Sequence, residues 1–199
     1  MLEQNGIVAV RFDLGGHGES DEEFFNVTIS KEVEEGKAII DFVKNLGFVD
    51  ETKISLLRMS LGSVVAGETP NNIQALCMWS PAAVVTDEIN IDKTIQGQSI
   101  LQIKEQEYFD FNSLKLGPNF INDVADLKIY SNASRFKGDV KIIYGDKDLI
   151  VPPEYAFKYK EAYSQEIIIK IVEGADHSWG NIPHREALFK ETLSFFIKI

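Results

Sequence analysis

Ser55-Leu56-Leu57-Arg58-Met59-Ser60-Leu61-Gly62-Ser63 is the stretch on which the reading of the fold turns. A short apolar run of strand character stops at Ser60, and a short helix reading from Ser60 to Glu68 follows. A serine on so sharp a strand-to-helix turn is lifted out of its sheet. Its hydroxyl is exposed, and the next backbone N–H, that of Leu61, points at the place where an oxyanion would form. Gly62 leaves room for the turn. The same residues also read as a serine that merely caps the following helix, so the rest of the chain has to decide.

Outward from this segment, strand-like and helix-like stretches alternate. Gly6–Phe12 reads as a buried strand, followed by a glycine-rich loop from Asp13 to Asp21. A helix is expected from about Thr28 to Leu46, with Ile39, Val43 and Leu46 on one face and Gly47 in the left-handed position after its end. Further strands are expected at Lys53–Leu57, Ile73–Trp79, Asp139–Tyr144 and Ile167–Val172, and further helices at Pro153–Tyr163 and His184–Ile197. Pro153 suits a first helical turn, where its missing N–H costs nothing. Glu68-Thr69-Pro70 ends the helix after Ser60 early. Short β-rich runs separated by helices predict an α/β chain with a mostly parallel, twisted sheet covered on both faces. The stretch from about Pro81 to Gly138 breaks the rhythm. It is polar, carries Tyr108, Phe109, Phe111, Phe120 and Tyr130 without a clean period, and is expected to be a lid inserted in a single domain spanning 1–199.

Composition narrows the function. The chain has 199 residues, of which 44% are hydrophobic, enough for a real core. Twenty Lys+Arg against 31 Asp+Glu give a net charge of −11, which repels phosphate backbones and anionic lipid, so neither nucleic acid nor a membrane surface is an expected partner. The longest uninterrupted apolar run, Ala75 to Trp79, is far shorter than the ~20 residues of a membrane span. The N-terminus has no signal-peptide pattern. Cys77 is the only cysteine, which excludes an internal disulfide and fits a reducing cytoplasm. His17, His177 and His184 share no metal-ligand spacing.

Two further residues bear on Ser60. Asp148 stands in Tyr144-Gly145-Asp146-Lys147-Asp148-Leu149-Ile150-Val151-Pro152, just after a predicted strand, with Asp146 as its competitor. Either acid can reach a neighbouring loop or simply serve its own turn. His177 stands in Gly174-Ala175-Asp176-His177-Ser178, after the last predicted strand. A histidine there acts as a general base if an acid fixes its tautomer, and is otherwise an ordinary loop residue. Serine, acid and histidine follow in the chain order of α/β-hydrolases.

With these residues in view, the sequence resembles the α/β-hydrolase superfamily, and within it bacterial cinnamoyl (feruloyl) esterase-like proteins. Four segments carry the resemblance: Arg11 to Asp21, Met59 to Ala66, Gly145 to Pro152, and Gly174 to His177. The resemblance implies that Ser60 attacks an ester carbonyl, that His177 moves the proton, that Asp148 orients His177, and that Leu61 supplies an oxyanion N–H. It implies a small-molecule ester as substrate. It reads His17 as structural, and His184 is expected at the surface at the start of the last helix. No metal or organic cofactor is expected, because the chemistry needs only the protein's own nucleophile and base.

Three departures from the family pattern qualify the expected activity. The chain begins at the segment equivalent to a fourth strand, so the fold is expected to be N-terminally truncated, without the loop that supplies a second oxyanion N–H. One lost donor costs about 10²–10³ in rate. Arg58 replaces the first elbow glycine and must find water or an acidic partner. The helix after Ser60 is short. These departures predict a slow or inactive enzyme and leave open an impaired hydrolase with a binding role, as well as a peptidase or monoacylglycerol lipase using the same three residues. An exposed sheet edge would permit a homodimer.

Overall fold

A computed structural model describes residues 1–68 and 73–199. In chain order, α1 (Ile29–Lys44) leads to β1 (Ser55–Met59), α2 (Leu61–Glu68) and β2 (Ala75–Trp79). The 81–138 stretch then contributes α3 (Val84–Asp87), the hairpin of β3 (Thr94–Ile95) and β4 (Gln98–Ser99), and α4 (Ile103–Gln106). It continues with the hairpin of β5 (Phe109–Phe111) and β6 (Leu114–Leu116), then α5 (Pro118–Asp126) and α6 (Ile129–Ala133). The chain closes with β7 (Asp139–Gly145), α7 (Glu154–Ala162), β8 (Ile168–Val172) and α8 (Ile182–Phe196). The main sheet has the order β1-β2-β7-β8, all parallel, with Leu57 beside Cys77, Cys77 beside Lys141 and Lys141 beside Ile168.

Strand alternation assigns each side chain to a face. Leu76 and Met78 of β2, with Val140, Ile142 and Tyr144 of β7, join the core built with α1, α2, α6 and α7. Ala75 and Cys77 of β2, with Ile143 of β7, point the other way and pack under Leu188 and Phe195 of α8. Helices thus cover both faces, the arrangement that a parallel sheet of near-continuous apolar strands requires. Phe109 and Phe120 of the 81–138 stretch are buried in the larger core. That stretch, read from sequence as irregular, is built from short helices and two small hairpins. Its elements are too brief for a period to show.

Four expectations need correction. Gly6–Phe12 is not a strand: among the described residues it pairs with no other strand, and Val8 and Val10 are 65% and 44% exposed. Its β-forming composition has no neighbouring strand to bond, and an isolated extended segment stays open to water. α1 does begin after Thr28, whose Oγ1 accepts from the Lys31 N–H at 3.2 Å. It stops at Lys44, however, and Gly47 is not left-handed. The Asn45 side-chain amide donates to the Asp41 carbonyl at 2.7 Å and serves the helix end in place of a glycine. α8 starts at Ile182, two residues before His184, with a proline in its first turn. Pro153 precedes the first residue of α7 rather than opening it. The ending of α2 at Thr69-Pro70 lies outside the described residues. Among the described residues no helix is long and apolar enough to cross a membrane.

Lys141, in the central strand β7, is 4% exposed and donates to the Glu191 carboxylate at 2.7 Å and to the Glu191 carbonyl at 2.8 Å. The hydrogen bond from Lys141 holds the Glu191 carboxyl below its ordinary pKa. Because its folded pKa is the lower one, Glu191 contributes stability that is fully present above the unfolded carboxylate value and lost as pH falls through the folded one. Glu191→Gln is expected to lower stability at pH 7 by about 2 kcal/mol, since it leaves a buried ammonium poorly paired. Urea unfolding of the two proteins should converge as the pH falls through the lowered folded pKa of Glu191.

Candidate active site

β1 ends at Met59, and Ser60 makes the turn into α2 with φ of +53°. A non-glycine residue in this region costs about 1–3 kcal/mol and persists only where its surroundings hold it. Here the Ser60 N–H donates to the Trp79 carbonyl at 2.8 Å, and its carbonyl accepts from the N–H groups of Ser63 and Ala82 at 3.0 and 3.1 Å. The Ser63 hydroxyl donates to the Arg58 carbonyl at 2.7 Å, fastening the helix back to the strand. The expected elbow is therefore present, with Leu61 as the first residue of α2. The first N–H groups of a helix have no partner within it, so that of Leu61 is left for an anion.

β7 delivers the acid. Asp148 lies just beyond Gly145 and is 3% exposed. Its Oδ1 accepts from the N–H groups of Ile150 and Val151 at 3.1 and 2.7 Å, which fixes the carboxylate and turns Oδ2 to His177 Nδ1 at 2.8 Å. His177 follows β8, and its Nε2 stands 3.0 Å from Ser60 Oγ. An ionised carboxylate only accepts, so Nδ1 carries the proton and Nε2 is left to accept from the serine hydroxyl. The three side chains read from sequence meet in one continuous hydrogen-bonded line. That arrangement can raise the nucleophilicity of a hydroxyl and carry its proton away.

Asp146, the competitor, has another partner. It accepts from the Gly174 N–H and so ties the acid loop to the histidine loop. Asp176 shapes the histidine loop. Bonds from the Gly180 N–H and the Ser178 hydroxyl hold its carboxyl below the ordinary range. Neither function is legible from spacing, because local turn acids and tethering acids look alike in sequence. The two loops also touch at Gly145, where an added Cβ would sit 2.2 Å from the Ala175 carbonyl oxygen. Gly145→Ala is therefore expected to destabilise the fold by about 1–3 kcal/mol and to separate Asp148 from His177. A lowered melting temperature together with lost turnover would check this.

Arg58 finds its surroundings on the α1 side. Its guanidinium carbon lies 5.3 Å from the Phe12 ring centroid, a cation–π contact across the edge of the sheet. Burial lowers its pKa, and the charge of Glu32 opposes that effect. Among the described residues no carboxylate forms an ion pair with Arg58; the charge of Glu32 acts on it from farther off, and burial pushes the Glu32 carboxyl upward. His17 Nε2 is 2.7 Å from Glu32 Oε1, and the His17 ring meets Phe24 edge-on at 5.4 Å. His17 therefore braces the glycine-rich loop against α1, in keeping with its structural reading. His184 packs toward Gly174. Cys77 is buried, which pushes its thiol up to about 12 and leaves it unreactive at neutral pH. Among the described residues no cluster of His, Cys, Asp and Glu could hold a metal ion.

Taken with the parallel sheet, the elbow after its first strand and the acid and histidine after its last two, these features define the α/β-hydrolase fold. Solved structures agree. Est1E from Butyrivibrio proteoclasticus, seen with ferulic acid, superposes with a TM-score of 0.84 at 24% identity, covering 94% of this chain and 74% of that one. A monoacylglycerol lipase from Paleococcus ferrophilus gives 0.69 at 19% identity, covering 94% and 82%. A putative hydrolase from Agrobacterium vitis gives 0.76 at 21% identity, covering 98% and 78%. No protein-family model and no curated protein matches the chain.

Proposed function

We propose that this chain is a serine hydrolase of small carboxylic esters, hydroxycinnamate esters among them. The single observation that carries the reading is the line from Ser60 Oγ through His177 to Asp148, at 3.0 and 2.8 Å. Ser60 Oγ adds to the ester carbonyl while His177 Nε2 takes its proton. The negative oxygen forms beside the N–H of Leu61. The C–O bond to the alcohol then breaks, and His177 returns the proton to the departing oxygen. Water, activated by the same imidazole, releases the acid from the acyl-enzyme and restores Ser60. Asp148 keeps the proton of His177 on Nδ1 throughout and stabilises the imidazolium.

The 81–138 stretch supplies the lid and the acyl pocket in this reading. Its buried Phe109 and Phe120 belong to the core, and Phe111 and Tyr130 pack against it. The Est1E likeness, with ferulic acid in that structure, supports a hydroxycinnamate over other acyl groups, while the lipase likeness keeps monoacylglycerols as the competing substrate class. Hydrolysis of p-nitrophenyl acetate, ethyl ferulate and a monoacylglycerol, each beside Ser60→Ala, tests the reading. Serine-dependent turnover with ethyl ferulate preferred is expected. A folded protein that hydrolyses none of the three, and whose Ser60 resists a fluorophosphonate, would overturn it.

A further inference from the structure

His177 serves two partners at once, Asp148 Oδ2 from Nδ1 at 2.8 Å and Ser60 Oγ from Nε2 at 3.0 Å. An imidazole is rigid, so both bonds survive only if the loop beneath it keeps one position. Yet the His177 backbone makes no hydrogen bond to another backbone group among the described residues. Its place is set by the residues on either side. Upstream, the Ala175 carbonyl accepts from the Lys147 N–H at 2.9 Å, and Ala175 is fully buried. Downstream, the Asp176 carboxylate gathers the turn, accepting from the Ser178 hydroxyl at 3.1 Å and the Gly180 N–H at 3.4 Å. Trp179 stands at the far side of that turn.

Trp179 has φ of +53°. A bulky residue is an outlier there, because its Cβ crowds the neighbouring carbonyl. The backbone does little to hold it: the Trp179 N–H meets the Asp176 carbonyl at 3.4 Å, a long hydrogen bond. The indole N–H does not hold it either, being buried without a partner among the described residues. What remains is packing. The side chain is 3% exposed and clusters with Ala75, Cys77, Ile143 and Leu188 on the α8 side of the sheet. An indole buries about 150–250 Å², and that burial keeps the backbone in a conformation it would otherwise leave. Ala175 belongs to the same cluster. His177 therefore sits midway between two residues that the core grips.

We propose that Trp179 is a positioning residue for His177: its buried indole draws the turn from Asp176 to Gly180 into the strained form that lays the imidazole between Asp148 and Ser60. This rests on the reading of Ser60, His177 and Asp148 as the hydrolytic machinery. The buried apolar residues of the 81–138 stretch belong to the other core, with α1 and α7, so the indole lies away from the lid and from a substrate held beneath it. A misplacement of about 1 Å in a reacting group costs on the order of 100-fold in rate. Here it would do so without weakening substrate binding. The signature of the role is thus a fall in kcat at constant KM.

The test compares Trp179→Ala, Trp179→Phe and Leu188→Ala with the parent chain. Leu188 lies in the same cluster and is 1% exposed, so its truncation loosens the same core without entering the turn. Two quantities are read: steady-state ester hydrolysis, and the far-downfield proton resonance of His177 Nδ1–H on Asp148, assigned by its absence from His177→Gln. The resonance needs no substrate, so failure of this inference and failure of the esterase reading are separable. Trp179→Ala should lower kcat about 100-fold with KM within about twofold, and should lose the resonance. Trp179→Phe keeps a ring and drops the unpaired donor. It should retain the resonance, and turnover within about threefold. Leu188→Ala should retain both at a lowered melting temperature. If Trp179→Ala does not fold, Trp179→Leu takes its place, with about a tenfold loss and a weakened resonance expected. A resonance retained in the folded truncation, or lost equally in Leu188→Ala, would overturn the proposal and leave Trp179 a core residue alone.

Discussion

Ser60→Ala is expected to lower ester hydrolysis by roughly 10⁴-fold or more. Among the described residues the Ser60 side chain makes one hydrogen bond, to His177 Nε2. The bonds that hold the turn come from its backbone, to Trp79, Ser63 and Ala82. Alanine keeps the Cβ and all three of those bonds, so stability should change by no more than about 0.5 kcal/mol. A steady-state assay paired with a urea titration reads both quantities. A variant that is folded and equally stable but retains turnover would place the nucleophile elsewhere. Combining Ser60→Ala with His177→Ala should cost little beyond either alone, because the two act as one unit.

Asp148→Asn is the second large effect, on the order of 10⁴-fold in kcat. The cause is tautomeric rather than steric. The asparagine carbonyl can still accept from the Ile150 and Val151 N–H groups at 3.1 and 2.7 Å, which leaves its NH₂ facing His177 Nδ1. That nitrogen must then act as acceptor, the proton moves to Nε2, and Nε2 can no longer take a proton from Ser60. Asp146→Asn sets the contrast. Its carbonyl oxygen still accepts from the Gly174 N–H, so the tether survives and activity should fall less than tenfold. Equal losses from the two substitutions would refute the assignment of Asp148 over Asp146.

The residues that make the site were legible because each stands at a strand end, where an apolar run stops abruptly. β2, β7 and β8 announced themselves as compact runs with turn chemistry behind them, whereas the strand before Ser60, expected at Lys53–Leu57, lies two residues later at Ser55–Met59. What stayed hidden depends on partners. Gly6–Phe12 has strand composition, and nothing local could say that its neighbour would be a cleft. Gly47 looked like a helix terminator because the alternative, the Asn45 amide reaching back to the Asp41 carbonyl, is a side-chain event that spacing does not record. Asp146 and Asp148 are chemically identical and two residues apart. Only the direction in which each carboxylate is held separates a tether from the group that orients His177.

β2 and β7 lie side by side in the sheet, although the whole 81–138 stretch runs between them. Its first end is pinned to β7, by the Ser80 N–H on the Ile143 carbonyl at 2.9 Å and the Tyr144 hydroxyl on the Pro81 carbonyl at 2.7 Å. Lengthening a flexible loop costs only about 0.6 kcal/mol of closure entropy per doubling, so exposed residues of this excursion can be added or exchanged cheaply while Phe109, Leu116, Phe120 and Val124 keep their places in the core. Descent with modification can therefore rewrite the outer face of this excursion without unthreading the sheet beneath it. Diversification of what is accepted and persistence of how it is attacked become separately heritable traits.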